Sequence, residues 1–474
     1  MVQGMVARTI TGDRFLRDDI EEFRKAAHQM VDWVAEYMSD SGKYPVLPNM
    51  KPGDLIDRLP RSAPDHGTPL YQIVRDFEQQ IFPAVTHWNH PRFFSYFAIS
   101  ASPPGVLAEF LTAAINTNGL HWKSSPAISE LEQVTTKWLA EWMGLPNDWF
   151  GMIHDTASIS TMHAIAAARE LADPEARTRG GDGNLVLYTS AQSHNSVEKA
   201  AIAIGIGQRN VRKIEVDDAF RMKPDALGRA IIDDLDAGRK PFCVVATAGT
   251  TSTTSVDPIR EIGHIAERHT MWLHIDAAYG GNAAVVPEMQ WILDGAHRAQ
   301  SLVVNPHKWL FVPVDLSVLY TSRPDIMQRA FSLSGEYLKK VEDERAVNLM
   351  DYAVPLGRRF RSLKLYFVMR YYGRDGVVAI LREHIRMTQE LAKLVSADDR
   401  FEIMAPHKMS ALCFRLKSSD ADNQRLIDAV NATGRTFVSL TSLNGKATIR
   451  FAIGNMATTM ADVEEVWGLM QKFA

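Results

Sequence analysis

The residues able to do chemistry in this chain stand just after short apolar runs. Lys308 ends SLVVNPHK, Asp276 ends MWLHID, His194 follows LVLYTSAQS, and Thr251 follows VVATAG. Asn305 and His307 flank the same turn as Lys308, and Ala157 and Ser158 open a helical run, TASISTMHAIAAARE. An amine that is neutral at working pH attacks an aldehyde to form an imine, and a partly desolvated lysine near other cations meets that need. A carboxylate such as Asp276, set against a pyridine nitrogen, keeps that nitrogen protonated, so the ring can accept electrons. The small pair Ala277–Ala278 leaves room for a flat ring, and His194 could stack on its other face. The first N–H groups of a helix at Ala157–Ser158, with the Ser158 hydroxyl and the Asn305 amide, suit a phosphate dianion. Each feature alone has a plainer reading: a surface lysine, a capping aspartate or serine, a structural histidine.

For these residues to meet, the elements before them must form one sheet. LVLY (185–188), VRKIEV (211–216), FCVVATA (242–248), MWLHID (271–276) and SLVVN (301–305) read as strands. Helices are expected over 196–204, from Pro224 and over 258–268. Strand and helix in alternation imply right-handed βαβ units and a mostly parallel sheet, whose ligands sit at the carboxyl ends of the strands. Before this α/β region, DDIEEFRKAAHQMVDWVAEYM has helical spacing, with Asp18 or Asp19 able to cap it, and a second helix is expected near residues 69–82. After it come a long helix and strands such as SALCFRL and ATIRFAI. The division expected is therefore a helical segment (1–102), a large α/β domain (103–365) and a small α+β domain (366–474).

Composition narrows the function. A net charge of −4 offers no field for nucleic acid, and no run of basic residues suggests an anionic membrane. Two cysteines, Cys243 and Cys413, without CxxC or a Cys/His cluster, argue against a disulfide scaffold and a zinc site. No signal peptide or spanning segment is apparent, so a cytoplasmic enzyme is expected. A nicotinamide-dependent oxidoreductase needs GxGxxG straight after a strand, whereas the nearest string, GIGQRN, follows a helix.

HIDAAYGG, with Lys308 of NPHKW 32 residues after Asp276, resembles the group II pyridoxal 5′-phosphate-dependent decarboxylases of fold type I. HPRFFSYF, SSPAISELE, SHNSVEKA, VVATAGTTSTTSVDPI and PLGRRFRSLK match it too, in the family's order, from about residue 15 to the C-terminus. Among its members the chain is most similar to aromatic-L-amino-acid decarboxylases.

The resemblance implies that Lys308 is the Schiff-base lysine, Asp276 the pyridinium partner and His194 the stacking residue. Ala278 would pack on the other ring face. Thr251 and His307 would line the reacting centre, and Ala157, Ser158 and Asn305 would bind phosphate. Trp88, Tyr96 and Phe97 match a substrate-pocket segment. A homodimer with sites at its interface is implied, the N-terminal helices wrapping the partner. Tyr337, in FSLSGEYLKKVEDERAVNLM, would protonate the α-carbon after carbon dioxide leaves; relatives that make aldehydes with oxygen carry phenylalanine there, or asparagine for the histidine. The alternatives are such an aldehyde synthase, or a decarboxylase of a non-aromatic amino acid.

The chain departs from the pattern at Ile159, where relatives often have glutamate, and at Ala98–Ile99, where many have Pro-Thr. Leu120, beside Asn118, replaces a pocket phenylalanine. Gly357 matches the aromatic enzymes.

Overall fold

The computed structural model describes residues 12–97, 99–333 and 345–474, with side chains from residue 19 onward. Seven strands form the larger sheet: β1 (Phe150–His154), β2 (Leu185–Ser190), β3 (Val211–Ile214), β4 (Lys240–Thr247), β5 (Trp272–Asp276), β6 (Ser301–Val304) and β7 (Ser317–Thr321). Their order is β1-β7-β6-β5-β4-β2-β3. Only β7 runs against the rest, pairing antiparallel with both β1 and β6. The other six therefore present their carboxyl ends along one edge. Helices cover both faces, which is why β2 and β4 to β6 are apolar and buried almost throughout.

Two of these strands, β1 and β7, escape the sequence reading. β1 is FGMIH, broken by Gly151, yet a Cβ there would lie 2.6 Å from the Thr136 Cβ. That glycine permits a close helix–strand approach and does not end the strand. β7 lies in the apolar run LFVPVDLSVLYT, where Pro313 hides the period.

The N-terminal helix spans Gly12–Ser39. Asp18 and Asp19 fall inside it, so neither caps its start; the apolar spacing had marked only its apolar stripe. The expected division at 102/103 falls just before the helix Pro103–Ile115. That at 365/366 falls inside the helix Ser362–Ser396, whose one departure from helical backbone is Gly373 (φ 62°). The second sheet holds β8 (Phe401–Ile403), β9 (Ala411–Leu416), β10 (Ser439–Leu443) and β11 (Lys446–Ala452), in the order β10-β11-β9-β8. It has its own core, built around Phe94, Phe414, Phe451 and Trp467. No helix among the described residues is long and apolar enough to cross a membrane.

Candidate active site

Lys308 lies in a single helical turn, Pro306–Trp309, directly after β6. Its ammonium sits 5.0 Å from the centre of the Phe97 ring. Burial pushes its pKa down; the Asp276 carboxylate pulls it back up, and Arg450 lowers it further. Asp276 ends β5, opposite Thr247 of β4 and Val303 of β6. Its Oδ1 accepts the Ala278 N–H at 3.1 Å, and the next helical turn begins only at Gly280, so Asp276 is not a helix cap. Gly280 is required here: its N–H donates to the Ala248 carbonyl, and a Cβ would lie 2.4 Å from that oxygen.

His194, after β2, shares this electrostatic environment. Burial lowers its pKa, Asp276 raises it, and Lys308 and Lys199 lower it. Its Nδ1 accepts the Ser196 backbone N–H at 3.2 Å and lies 2.8 Å from the Ser196 hydroxyl, which orients the ring and leaves Nε2 to carry the proton. His307 is pinned, its Nδ1 accepting the Leu316 N–H at 2.9 Å. Burial, with Lys308 and Lys364 nearby, takes its pKa to about 4, so it is neutral at ordinary pH.

Several polar groups here lack partners among the described residues. Thr247 Oγ1 and Asn305 Oδ1 are buried and unpaired. The helix Ala157–Ala172 opens at the end of β1, and Thr156 makes no side-chain cap bond, so its first N–H groups remain available. Ser158 is solvent-exposed. Buried polar atoms without partners are expensive, and a polar ligand would relieve them. An anion at the helix start, a protonated ring nitrogen at Asp276 and an aldehyde at Lys308 describe one flat phosphorylated pyridine. The residues present fit pyridoxal 5′-phosphate.

An aromatic column supports the site. Phe97 stacks on Tyr279 (4.0 Å), and Tyr279 on Trp309 (4.9 Å), whose Nε1–H donates to His384 Nδ1. Trp88 stacks on Tyr96 at 5.6 Å. Leu120 and Gly357 form a separate group: the Leu120 carbonyl accepts the Met350 N–H, and Asn118 Oδ1 accepts the Arg358 N–H with its amide against Gly357. Tyr337 and Ala98 lie outside the described residues.

Arg450 was missed. It comes from β11 of the second sheet, is buried, and lies 4.3 Å over the Phe97 ring. Its Nε donates to the Thr251 carbonyl at 2.8 Å, and a terminal nitrogen donates to the Tyr96 carbonyl. A signal existed: an arginine within the otherwise apolar strand ATIRFAI.

The pyridoxal-dependent decarboxylase conserved domain matches residues 52–417. The chain is 39% identical to tyrosine decarboxylase 2 of Narcissus pseudonarcissus over 96% of this chain and 94% of that protein. It is 38% identical to phenylacetaldehyde synthase of Arabidopsis thaliana, over 96% of each. The crystal structure of Catharanthus roseus tryptophan decarboxylase in complex with L-tryptophan superposes with a TM-score of 0.90 at 38% identity, covering 96% of this chain and 98% of that one. With matches spanning nearly its whole length, the chain belongs to the pyridoxal-dependent decarboxylase family.

Proposed function

We propose that this chain converts an aromatic L-amino acid into its amine and carbon dioxide. The observation that carries this is the meeting of Lys308, Asp276 and His194 at the carboxyl edge of the sheet, with the Phe97 ring beside the Lys308 ammonium. Pyridoxal 5′-phosphate, when bound, supplies an aldehyde for an amine and a ring that takes up electrons.

The chain's own residues do the rest. Lys308, whose pKa burial lowers, would offer the amine that holds the cofactor. Asp276 would keep a proton on the ring nitrogen, and Ala278 and His194 would pack against the ring. The helix start at Ala157, with Ser158 and Asn305, would hold the phosphate. Trp88, Tyr96, Phe97 and Thr251 receive the substrate's aromatic side chain. A carboxylate set against such apolar surface loses hydration that neutral carbon dioxide does not need. Tyr337 then delivers the proton to the α-carbon.

The active form we propose is a homodimer. Its support is the exposed apolar surface of Phe23 and Val31 on the first helix and Leu107 and Phe110 on the helix Pro103–Ile115, an unusual concentration for a free surface. Leu120 and Gly357 would reach the partner's substrate. Both cysteines are free and buried, which suits the cytoplasm.

The likeness to an aldehyde synthase favours oxidative release as the second reading. Incubating the purified protein with tyrosine, DOPA, tryptophan, phenylalanine and histidine, while measuring amine and aldehyde together, decides between them. Amine should predominate, and Tyr337→Phe should still release carbon dioxide while yielding much more aldehyde, ammonia and peroxide. An unchanged amine yield in that variant would assign the proton to another group.

A further inference from the structure

Arg450 is a buried cation whose described hydrogen bonds all go to backbone carbonyls: Tyr96, Thr251 and Ser252. One terminal nitrogen is buried without any partner among the described residues. A buried arginine in a purely structural role is ordinarily paired with a carboxylate, because an unpaired charge is costly away from water. Here the groups that feel its charge are Lys308, Tyr279 and Cys413.

Two further observations give this position meaning. The Phe97 ring lies under both cations, the guanidinium at 4.3 Å and the Lys308 ammonium at 5.0 Å. Tyr96, whose carbonyl Arg450 holds, has φ 48°, a left-handed backbone that is unfavourable for an aromatic residue and persists only where its surroundings impose it. That turn is what places Phe97 beneath Lys308.

We propose that Arg450 is a positioning residue of this site, clamping the Tyr96–Phe97 turn and setting a fixed positive charge over the same ring that lies under Lys308. The charged and titratable groups around Lys308 are Asp276 after β5, His194 after β2, His307 beside it in the chain and Arg450 from β11; Tyr279 and Cys413 face Arg450 in turn. Lys308 thus has one carboxylate favouring its charge and one arginine cation opposing it. An arginine does not deprotonate in proteins, so its charge weakens the hold of the nearby lysine nitrogen on a proton. The second sheet thereby sets the state of a nucleophile carried by the first. This rests on Lys308 being the residue that holds the cofactor.

The test uses the holoenzyme as wild type, Arg450→Gln and Arg450→Lys. The visible absorbance of the bound cofactor is titrated with pH, with thermal midpoint and KM measured alongside. Removing a positive charge stabilises a neighbouring protonated nitrogen, so the spectral midpoint of Arg450→Gln should rise by about one unit. Arg450→Lys keeps the charge and should stay near wild type, while KM rises in both because neither side chain reproduces the fork. An unmoved midpoint in Arg450→Gln, or equal shifts in the two variants, overturns the proposal; so does failure of both to take up cofactor, which would make Arg450 structural. Loss of the visible band in Lys308→Ala is the separate control: its persistence would instead overturn the role of Lys308.

Discussion

Two buried lysines of this chain, Lys308 and Lys364, have opposite surroundings. Burial lowers the pKa of both. Lys364 nevertheless sits 2.5 Å from a Glu109 carboxylate oxygen. Arg359 also pairs with Glu109, and Arg361 with Asp315, so its charge belongs to an alternating ion network. Lys308 has an aromatic ring beneath it and a second cation close by, with Asp276 the carboxylate that favours its charge. Desolvation alone thus does not make a nucleophile. What separates the two is whether a contacting carboxylate restores the charge that burial disfavours.

That contrast can be broken at either lysine. The largest effect should come from Lys308→Ala, which removes the amine proposed to hold the cofactor; turnover should fall by several orders of magnitude, with the visible absorbance lost from the purified protein. Near-normal kinetics would make Lys308 another Lys364. Asp276→Asn comes next: shape is kept but the proton on the ring nitrogen is not, so kcat should drop about 100- to 1,000-fold, each tenfold being about 1.4 kcal/mol of barrier. Wild-type kcat with cofactor bound would remove that role. Smallest is Lys364→Met, which leaves Glu109 with Arg359 as its remaining partner and should lower stability by about 1–2 kcal/mol in denaturant melts while moving kcat little. Adding Glu109→Gln should recover part of that loss. A collapse of turnover with stability intact would place Lys364 in the chemistry instead.

Much of the site was legible in the sequence because a buried parallel strand leaves a sharp mark, an apolar run that stops at a polar residue. Asp276, Lys308 and Asn305 each stand at such a stop, and the sheet then brings them to one edge. β1 failed to show because its glycine answers a packing contact with Thr136 that no local pattern encodes. The reach of the N-terminal helix back to Gly12 lay outside its apolar stripe, which misplaced the cap at Asp18 or Asp19. Arg450 was illegible for a different reason. Its position within ATIRFAI was visible, but its partners are carbonyls of loops from distant parts of the chain, and only the docking of the two sheets joins them.

That docking carries a consequence for the order of assembly. Tyr96 and Arg450 bond across 354 positions of sequence. Contacts of such separation close late, because the entropy of the intervening loop is lost before any local contact rewards it. The individual βαβ units can gather with no knowledge of Arg450, yet the ring beneath Lys308 is held in place only when the last strand arrives. Competence to retain the cofactor should therefore trail the burial of the main core during refolding, and a ribosome must release the chain through β11 before the pocket exists.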